Sequence, residues 1–462
     1  MFIGRRSELE VLERAYASAE SGFIPIYGRR RIGKSELILH FLQGKRGLYF
    51  LGKTAPAALQ LREFLGEAAQ ALEEPLLASF TAPGWKEALQ AVVDRWKGPG
   101  KLVLVLDEFQ WTCNASPELP SVIQELWDRR WKETGKVLLI LCGSFVGFME
   151  RAILGRSSPL FGRRTAQIHL KQFSYHEAAE FLPSWSRTNQ ALAYFLVGGV
   201  PLYLRALDPE ASVATNIEEH LLTEYSPLFR EPEFLLREEL REVENYYAVL
   251  VAIAAGQRTA RAIAQRAGLP ERSLPYYIEQ LVQLGYVARR HPLTGARPTR
   301  RHVRYELEDA LLRFWFRFVF PNVSSLQQMG PKRTYRERIR PQLEAYAGTC
   351  FERLCREALP RLYEREGVNA AFEIGEYWDK AVQIDVVGLR DDGWTDLAEC
   401  KWGAVRSHSE VLAELRAKAS HFPNGRGATI GVRLFLHRGT KVSLPSAQKD
   451  LARWHTLADL YA

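Results

Sequence analysis

Phe23-Ile24-Pro25-Ile26-Tyr27-Gly28-Arg29-Arg30-Arg31-Ile32-Gly33-Lys34-Ser35-Glu36-Leu37-Ile38-Leu39 is the stretch on which the fold turns. An apolar run, a glycine-bounded loop and a segment of helical spacing follow one another, and the loop fits G-x-x-x-x-G-K-[ST]. Gly28 and Gly33 let the backbone turn tightly, so that successive N–H groups point inward at an anion. A helix starting near Lys34 adds the positive end of its dipole. In that setting Lys34 reaches β- and γ-phosphates and the Ser35 hydroxyl ligates Mg²⁺.

Working outward, Lys101-Leu102-Val103-Leu104-Val105-Leu106 runs directly into Asp107-Glu108. A continuous valine and leucine run reads as a buried parallel strand, and ligands bind at the carboxyl ends of such strands. Asp107 is the candidate to hold Mg²⁺ through water, and Glu108 to polarise the attacking water. Val137-Leu138-Leu139-Ile140-Leu141-Cys142 is a second buried-strand run, ending at Gly143-Ser144. Ser144 suits a contact to the γ-phosphate or its water, and suits a helix N-cap equally well. Further on, Arg163-Arg164 is either a finger for a neighbouring subunit's nucleotide or a surface pair.

At 462 residues the chain is too long for one core, and roughly three domains are expected. The apolar fraction of 47% and charged fraction of 25% are those of an ordinary globular protein. Its longest apolar runs fall short of the ~20 residues a membrane span needs, and no apolar core of signal-peptide length follows Met1. Five cysteines, none in a C-x-x-C pair, exclude a disulfide framework and a zinc finger and favour a reducing cytoplasm. A net charge of +8 suits either nucleic-acid contact or plain solubility, and composition leaves both open.

These motifs together resemble the AAA+ P-loop ATPases, and more narrowly the prokaryotic archaeal-type branch near the signal-transduction NTPases. The resemblance rests on the box Phe2-Ile3-Gly4-Arg5-Arg6-Ser7-Glu8, the phosphate loop, Asp107-Glu108, Ser144 and Gly198-Gly199-Val200-Pro201, and spans about the first half of the chain. It implies ATP binding and hydrolysis with Mg²⁺, an αβα core of five parallel strands over residues 1–172, a helical lid over 173–240, and a homo-oligomer. It also implies that Gly4 and Arg5 belong to the adenine-contacting box, that Ser144 is the first sensor, and that the finger is Arg163 or Arg164.

Beyond residue 240, Asn245 to Glu306 reads as three helices and two strands, a winged-helix pattern assigned to 241–320. Gly295, Arg297, Arg300 and Arg301 fall on its wing, where arginines suit a DNA backbone; the same fold also serves simply to relay contacts between domains. A linker is expected from Phe320 to about Arg340, then a helix from Leu343 to Leu362. Two strands follow, carrying Asp385 and then Glu399-Cys400-Lys401. Alternation puts Glu399 and Lys401 on one face, where Asp385 can meet them. Two carboxylates can hold Mg²⁺ and a lysine beside them can orient or deprotonate water, although a charged solvent face has the same pattern.

Over 335–462 the chain resembles a restriction-endonuclease-like domain, common at the carboxyl end of archaeal-type ATPases. That resemblance implies metal ligands at Asp385 and Glu399, catalysis by Lys401 and support from Glu352. Gln383 departs from the glutamate that such domains often carry there. The sequence therefore predicts a cytoplasmic ATPase that couples nucleotide state to a DNA-acting, Mg²⁺-dependent nuclease-like domain. The alternative is an ATP-gated switch or DNA-binding protein whose nuclease-like domain is silent.

Overall fold

A computed structural model describes residues 2–297, 302–438 and 452–462, so Arg300 and Arg301 lie outside the described residues. The chain forms two compact units: Met1–Phe173 with Val200–Leu202, and Ser174–Gly199 with Tyr203–Ala462.

In the first unit, β1 (Gly22–Tyr27), β2 (Gly47–Leu51), β3 (Leu102–Asp107), β4 (Val137–Gly143) and β5 (Ile168–His169) form one sheet in the order β2-β3-β4-β1-β5. Every pairing is parallel. Side-chain alternation sorts the strands' apolar residues between two cores. Ile24, Ile26, Val103, Val105, Leu138 and Ile140 pack with Leu37, Ile38 and Phe41 of the helix Lys34–Phe41. On the opposite face, Phe23, Leu104, Leu106, Leu139 and Leu141 pack with Phe64, Trp85 and Trp127. The result is helices on both faces of a parallel sheet.

Pro25 sits inside a central strand, where a missing N–H ordinarily breaks a ladder. The Phe23 N–H donates to Thr165 Oγ1 at 2.9 Å, which fixes which edge the odd-numbered amides face. Pro25 faces that same edge, and β5 pairs only from Ile26 onward, so no ladder bond is lost.

The second unit begins with Tyr175–Ala179, whose Ser174 and Glu177 form a reciprocal capping box. Helices Val243–Ala254, Ala260–Ala267 and Leu274–Gln283 precede an antiparallel pair, β6 (Val287–Arg290) and β7 (Arg304–Leu307). The expected linker after Phe320 is instead helical. Val323–Thr334, interrupted at Gly330 (φ +75°), passes through Tyr335–Ile339 into the helix Arg340–Arg365. Leu326, Tyr335 and Ile339 are buried there, an apolar periodicity that the polar run Gln327-Gln328-Met329-Gly330-Pro331-Lys332 hides in the sequence.

A mixed sheet follows: β8 (Phe372–Trp378), β9 (Gln383–Arg390), β10 (Trp394–Lys401), β11 (Thr429–Leu436) and β12 (Ala452–Thr456), in the order β12-β11-β10-β9-β8. The β8-β9 and β9-β10 pairs are antiparallel, and the β10-β11 and β11-β12 pairs are parallel. The expected two-strand unit is thus the centre of five strands. Helix Arg340–Arg365 covers one face, and Leu412 and Leu415 of the helix His408–Ala419 cover the other. Tyr175, Ala191 and Phe195 from the expected lid belong to the same core as the long helix. Among the described residues, no helix is long and apolar enough to cross a membrane.

Candidate functional site: a phosphate loop and an acidic strand end

The loop from Gly28 to Ser35 joins the carboxyl end of β1 to the helix Lys34–Phe41, with Gly33 at its N-cap. Gly33 has φ +87°, a conformation glycine adopts without strain. A Cβ on Gly28 would meet Ile32 Cδ1 at 2.7 Å and collide with the Leu170 carbonyl, so that position admits no side chain. Pro201 Cγ, within the same unit, lies 3.5 Å from where a Gly33 Cβ would be, so Pro201 stands against the loop.

Lys34 is buried, and its Nζ donates to the carbonyls of Gly28 at 3.0 Å and Arg29 at 2.9 Å. The ammonium is therefore folded back across the hollow of the loop, where a phosphate would take over its donors. Burial pushes its pKa down, against the opposing pull of Glu108 and Asp107. Ser35 Oγ donates to Asp107 Oδ2 at 2.7 Å, joining the loop to the end of β3. Tyr49, on β2, donates to the same oxygen. Asp107 Oδ1 accepts the Glu108 amide at 2.7 Å. A hydroxyl and a carboxylate side by side at a loop lined by amides are a donor set that fits Mg²⁺ with phosphate oxygens.

Glu108 sits at φ +48°, which turns its side chain away from Asp107 toward β4. There its Oε2 accepts from Ser144 Oγ at 2.8 Å and from the Gln110 amide. Ser144 is thus a partner of the expected catalytic carboxylate. It is not the N-cap acceptor of the following helix, whose cap residue Phe145 has no side-chain cap bond.

Gly4 (φ +64°) and Arg5 (φ +60°) both take left-handed backbone. Arg5 is buried: Nη2 donates to the Ile32 carbonyl at 2.9 Å, and the guanidinium stands 4.0 Å over Phe173. The residue named for its place in the amino-terminal box thereby props the back of the phosphate loop. Arg163 forks onto Asp128 at 2.6 and 2.9 Å and donates to the Pro159 carbonyl at 2.7 Å, while Arg164 is exposed. Arg163 is thus engaged by Asp128 within the first unit, and Arg164 is the more exposed of the two expected finger candidates.

In the second unit, Asp385 on β9 and Glu399 and Lys401 on β10 come together. Lys401 Nζ donates to Glu399 Oε1 at 2.8 Å, and Asp385 Oδ2 accepts the Cys400 amide at 2.9 Å. Lys418, which sequence reading missed, donates to the other Glu399 oxygen at 2.7 Å. Arg356 donates to the Asp385 carbonyl at 2.6 Å. Burial, then the Glu399 charge, raises the Asp385 carboxyl to about 6. Glu352 is raised to about 8 by burial and then by Asp385. The carboxyls therefore crowd one another, but two lysines occupy both oxygens of Glu399. Among the described residues, no group of three or more His, Cys, Asp or Glu side chains is placed to hold a metal ion.

At the hairpin, Arg289 pairs with Glu279, and Arg290 with Glu308 at 2.6 Å. These arginines at the base of the expected wing are spent on ion pairs within the chain.

A parallel sheet with a glycine-bounded phosphate loop after β1 and an acidic pair after β3 defines a P-loop α/β ATPase core. Residues 2–207 match the family described as an ATPase domain predominantly from Archaea. Residues 315–412, which include Asp385, Glu399 and Lys401, match a family described as archaeal and bacterial proteins of unknown function. An uncharacterized protein of Methanocaldococcus jannaschii is 27% identical over 404 residues, covering 87% of this chain and 88% of its own. An uncharacterized ATP-binding protein of the same organism is 48% identical over 46 residues, 10% of this chain and 78% of its own. The Walker-type ATPase of Pyrococcus abyssi superposes with a TM-score of 0.50 at 19% identity, covering 68% of this chain and 96% of its own, a likeness of fold. The amino-terminal part is accordingly similar to an archaeal-type ATPase domain over residues 2–207, and residues 315–412 are similar to the second family.

Proposed function

We propose that this protein binds ATP with Mg²⁺ at Gly28–Ser35 and hydrolyses it. The observation that carries the reading is the 2.7 Å bond from Ser35 to Asp107, which brings the two expected Mg²⁺-holding groups to one point beside Lys34. Ser35 and Asp107 would hold Mg²⁺, which would supply positive charge against the triphosphate. Lys34 exchanges two backbone carbonyls for phosphate oxygens, and the loop amides with the helix start bind the rest. Glu108 polarises water once it leaves Ser144 and Gln110, and Ser144 is then available to the γ-phosphate. Arg164, from a neighbouring copy, is the finger, because Arg163 is held by Asp128. Lys34→Ala should abolish nucleotide binding in equilibrium dialysis. Glu108→Gln should keep binding and lose turnover by at least ~10²-fold, and undiminished hydrolysis in that variant removes Glu108 from the reaction.

The finer reading concerns the second unit. We infer a winged helix over 241–320 and a restriction-endonuclease-like domain over 335–462, acting on DNA under control of the nucleotide. Its support is the meeting of Asp385, Glu399 and Lys401, with Glu352 nearby. The second reading, a nucleotide-gated switch with a silent cluster, is favoured by the two lysines on Glu399. Plasmid and linear DNA incubated with Mg²⁺ or Mn²⁺, with and without ATP, separate the two. Cutting that disappears in Lys401→Ala supports the nuclease; DNA retention without cutting supports the switch.

A further inference from the structure

A cavity of about 230 Å³ lies in the second unit, walled by Val243–Ala254, β7, the helical turn holding Arg313 and Arg317, and the helix Arg340–Arg365. Four arginines line it, Arg258, Arg313, Arg317 and Arg353, against a single acid, Glu306. Glu306 is taken: Arg353 reaches it at 2.5 Å and Arg258 at 3.6 Å. Adding the neighbouring pair of Arg290 and Glu308 gives five arginines against two carboxylates, so an excess of three positive charges remains.

Such an excess in a half-buried space is costly without a counter-charge. Burial and then Arg313 lower the Arg353 pKa against the pull of Glu306 and Glu308, whereas Arg313, despite its burial, is held up by Cys350, Tyr346 and Glu308. The Nε of Arg313 is buried and has no hydrogen-bond partner among the described residues. Ile253 and Leu307 supply apolar wall, and Tyr305 an aromatic ring. The volume is below that of a drug-sized pocket, which excludes a dinucleotide.

We propose that this cavity binds a small phosphoryl anion, an inorganic phosphate species or a phosphomonoester, through Arg258, Arg313, Arg317 and Arg353. The anion would tie the helices that precede the hairpin to the long helix under the carboxy-terminal sheet. This site is separate from the phosphate loop and does not depend on hydrolysis there.

The full chain carrying Lys34→Ala, which disables the loop, is titrated calorimetrically with pyrophosphate and with AMP. Arg258→Gln and Arg317→Gln are then added singly, Arg317 being exposed and safe for folding, and unliganded melting temperatures are compared. Binding of either probe that weakens roughly tenfold or more in both variants, with unchanged melting, supports the site. Pyrophosphate alone would mean that the anion is inorganic, and preferred AMP that the apolar wall takes an organic group. No binding of either probe, or affinity unaltered in both variants, overturns it.

Discussion

Asp107 is held on three sides: one oxygen accepts from both Ser35 and Tyr49, and the other accepts the Glu108 amide. Burial and the Asp107 charge push the Tyr49 phenol up, so it stays a donor throughout the physiological range. Removing that donor by Tyr49→Phe costs one hydrogen bond, about 1 kcal/mol, without opening a hole. The Mg²⁺ concentration giving half-maximal ATP turnover should rise about fivefold, with Mg²⁺-free nucleotide binding unchanged; a metal titration of the ATPase rate reads it. Gly28→Ala is a harsher change, because its Cβ meets Ile32 at 2.7 Å and the chain at Leu170. Its nucleotide affinity should fall by at least ~10²-fold in dialysis, in line with the need for close backbone approach at such loops. The placement of Gly28, Lys34 and Ser35 was legible from spacing within one strand–loop–helix, and that of Asp107 and Glu108 from the apolar run that ends in them. Tyr49 and Gln110 were not, since each meets its partner only through neighbouring strands or a local turn, and nothing in the residues beside it announces the contact.

At the scale of elements, the hairpin strand β7 is anchored by one carboxylate. Burial alone would raise Glu306, but Arg353, Arg258, Arg356 and Arg290 together pull it down to about 2. A carboxyl with a depressed folded pKa adds stability that is present above its unfolded value of 4.5 and lost as pH falls through that value toward about 2. Glu306→Gln should therefore destabilise the protein at pH 7 by on the order of 3 kcal/mol, leaving buried arginines unmatched. Urea midpoints of the two proteins should converge as the buffer is taken from pH 7 to pH 3, and a gap that stays constant would rule out the ion pair as its origin. The same arginine-rich neighbourhood marks what the sequence hid. The strand-loop-helix alternation of the first sheet could be read from apolar runs and glycine punctuation, because parallel strands buried on both faces are apolar at every residue. The segment from Val323 to Ile339 could not, because its buried residues are sparse and Gly330-Pro331 reads as a break. β11 and β12 escaped for a related reason, being placed by parallel pairing between strands distant in sequence.

At the scale of the whole molecule, the remaining question is whether one chain completes its own nucleotide site. Arg163 is bound to Asp128 within the first unit, whereas Arg164 is exposed and free to meet another surface. If Arg164 acts on a neighbouring copy, hydrolysis needs two chains, one supplying the loop and one the arginine. Arg164→Ala should then lower turnover by about 10³-fold while leaving ATP affinity nearly unchanged, since a finger acts on charge that develops in the transition state. Lys34→Ala should be dead for the opposite reason, having an arginine to give but no nucleotide to receive it. Mixing the two inactive proteins distinguishes action between chains from action within one. In a mixed pair, the Arg164→Ala chain still binds ATP and the Lys34→Ala chain still offers its arginine, so one of the two sites is whole. Random exchange between dimers should restore about a quarter of the wild-type rate, with a larger ring changing the fraction but not the principle. Recovery on mixing would place Arg164 across a subunit boundary. A mixture as inactive as its parts, shown by native mass to have exchanged subunits, would return the finger to the same chain or to another residue.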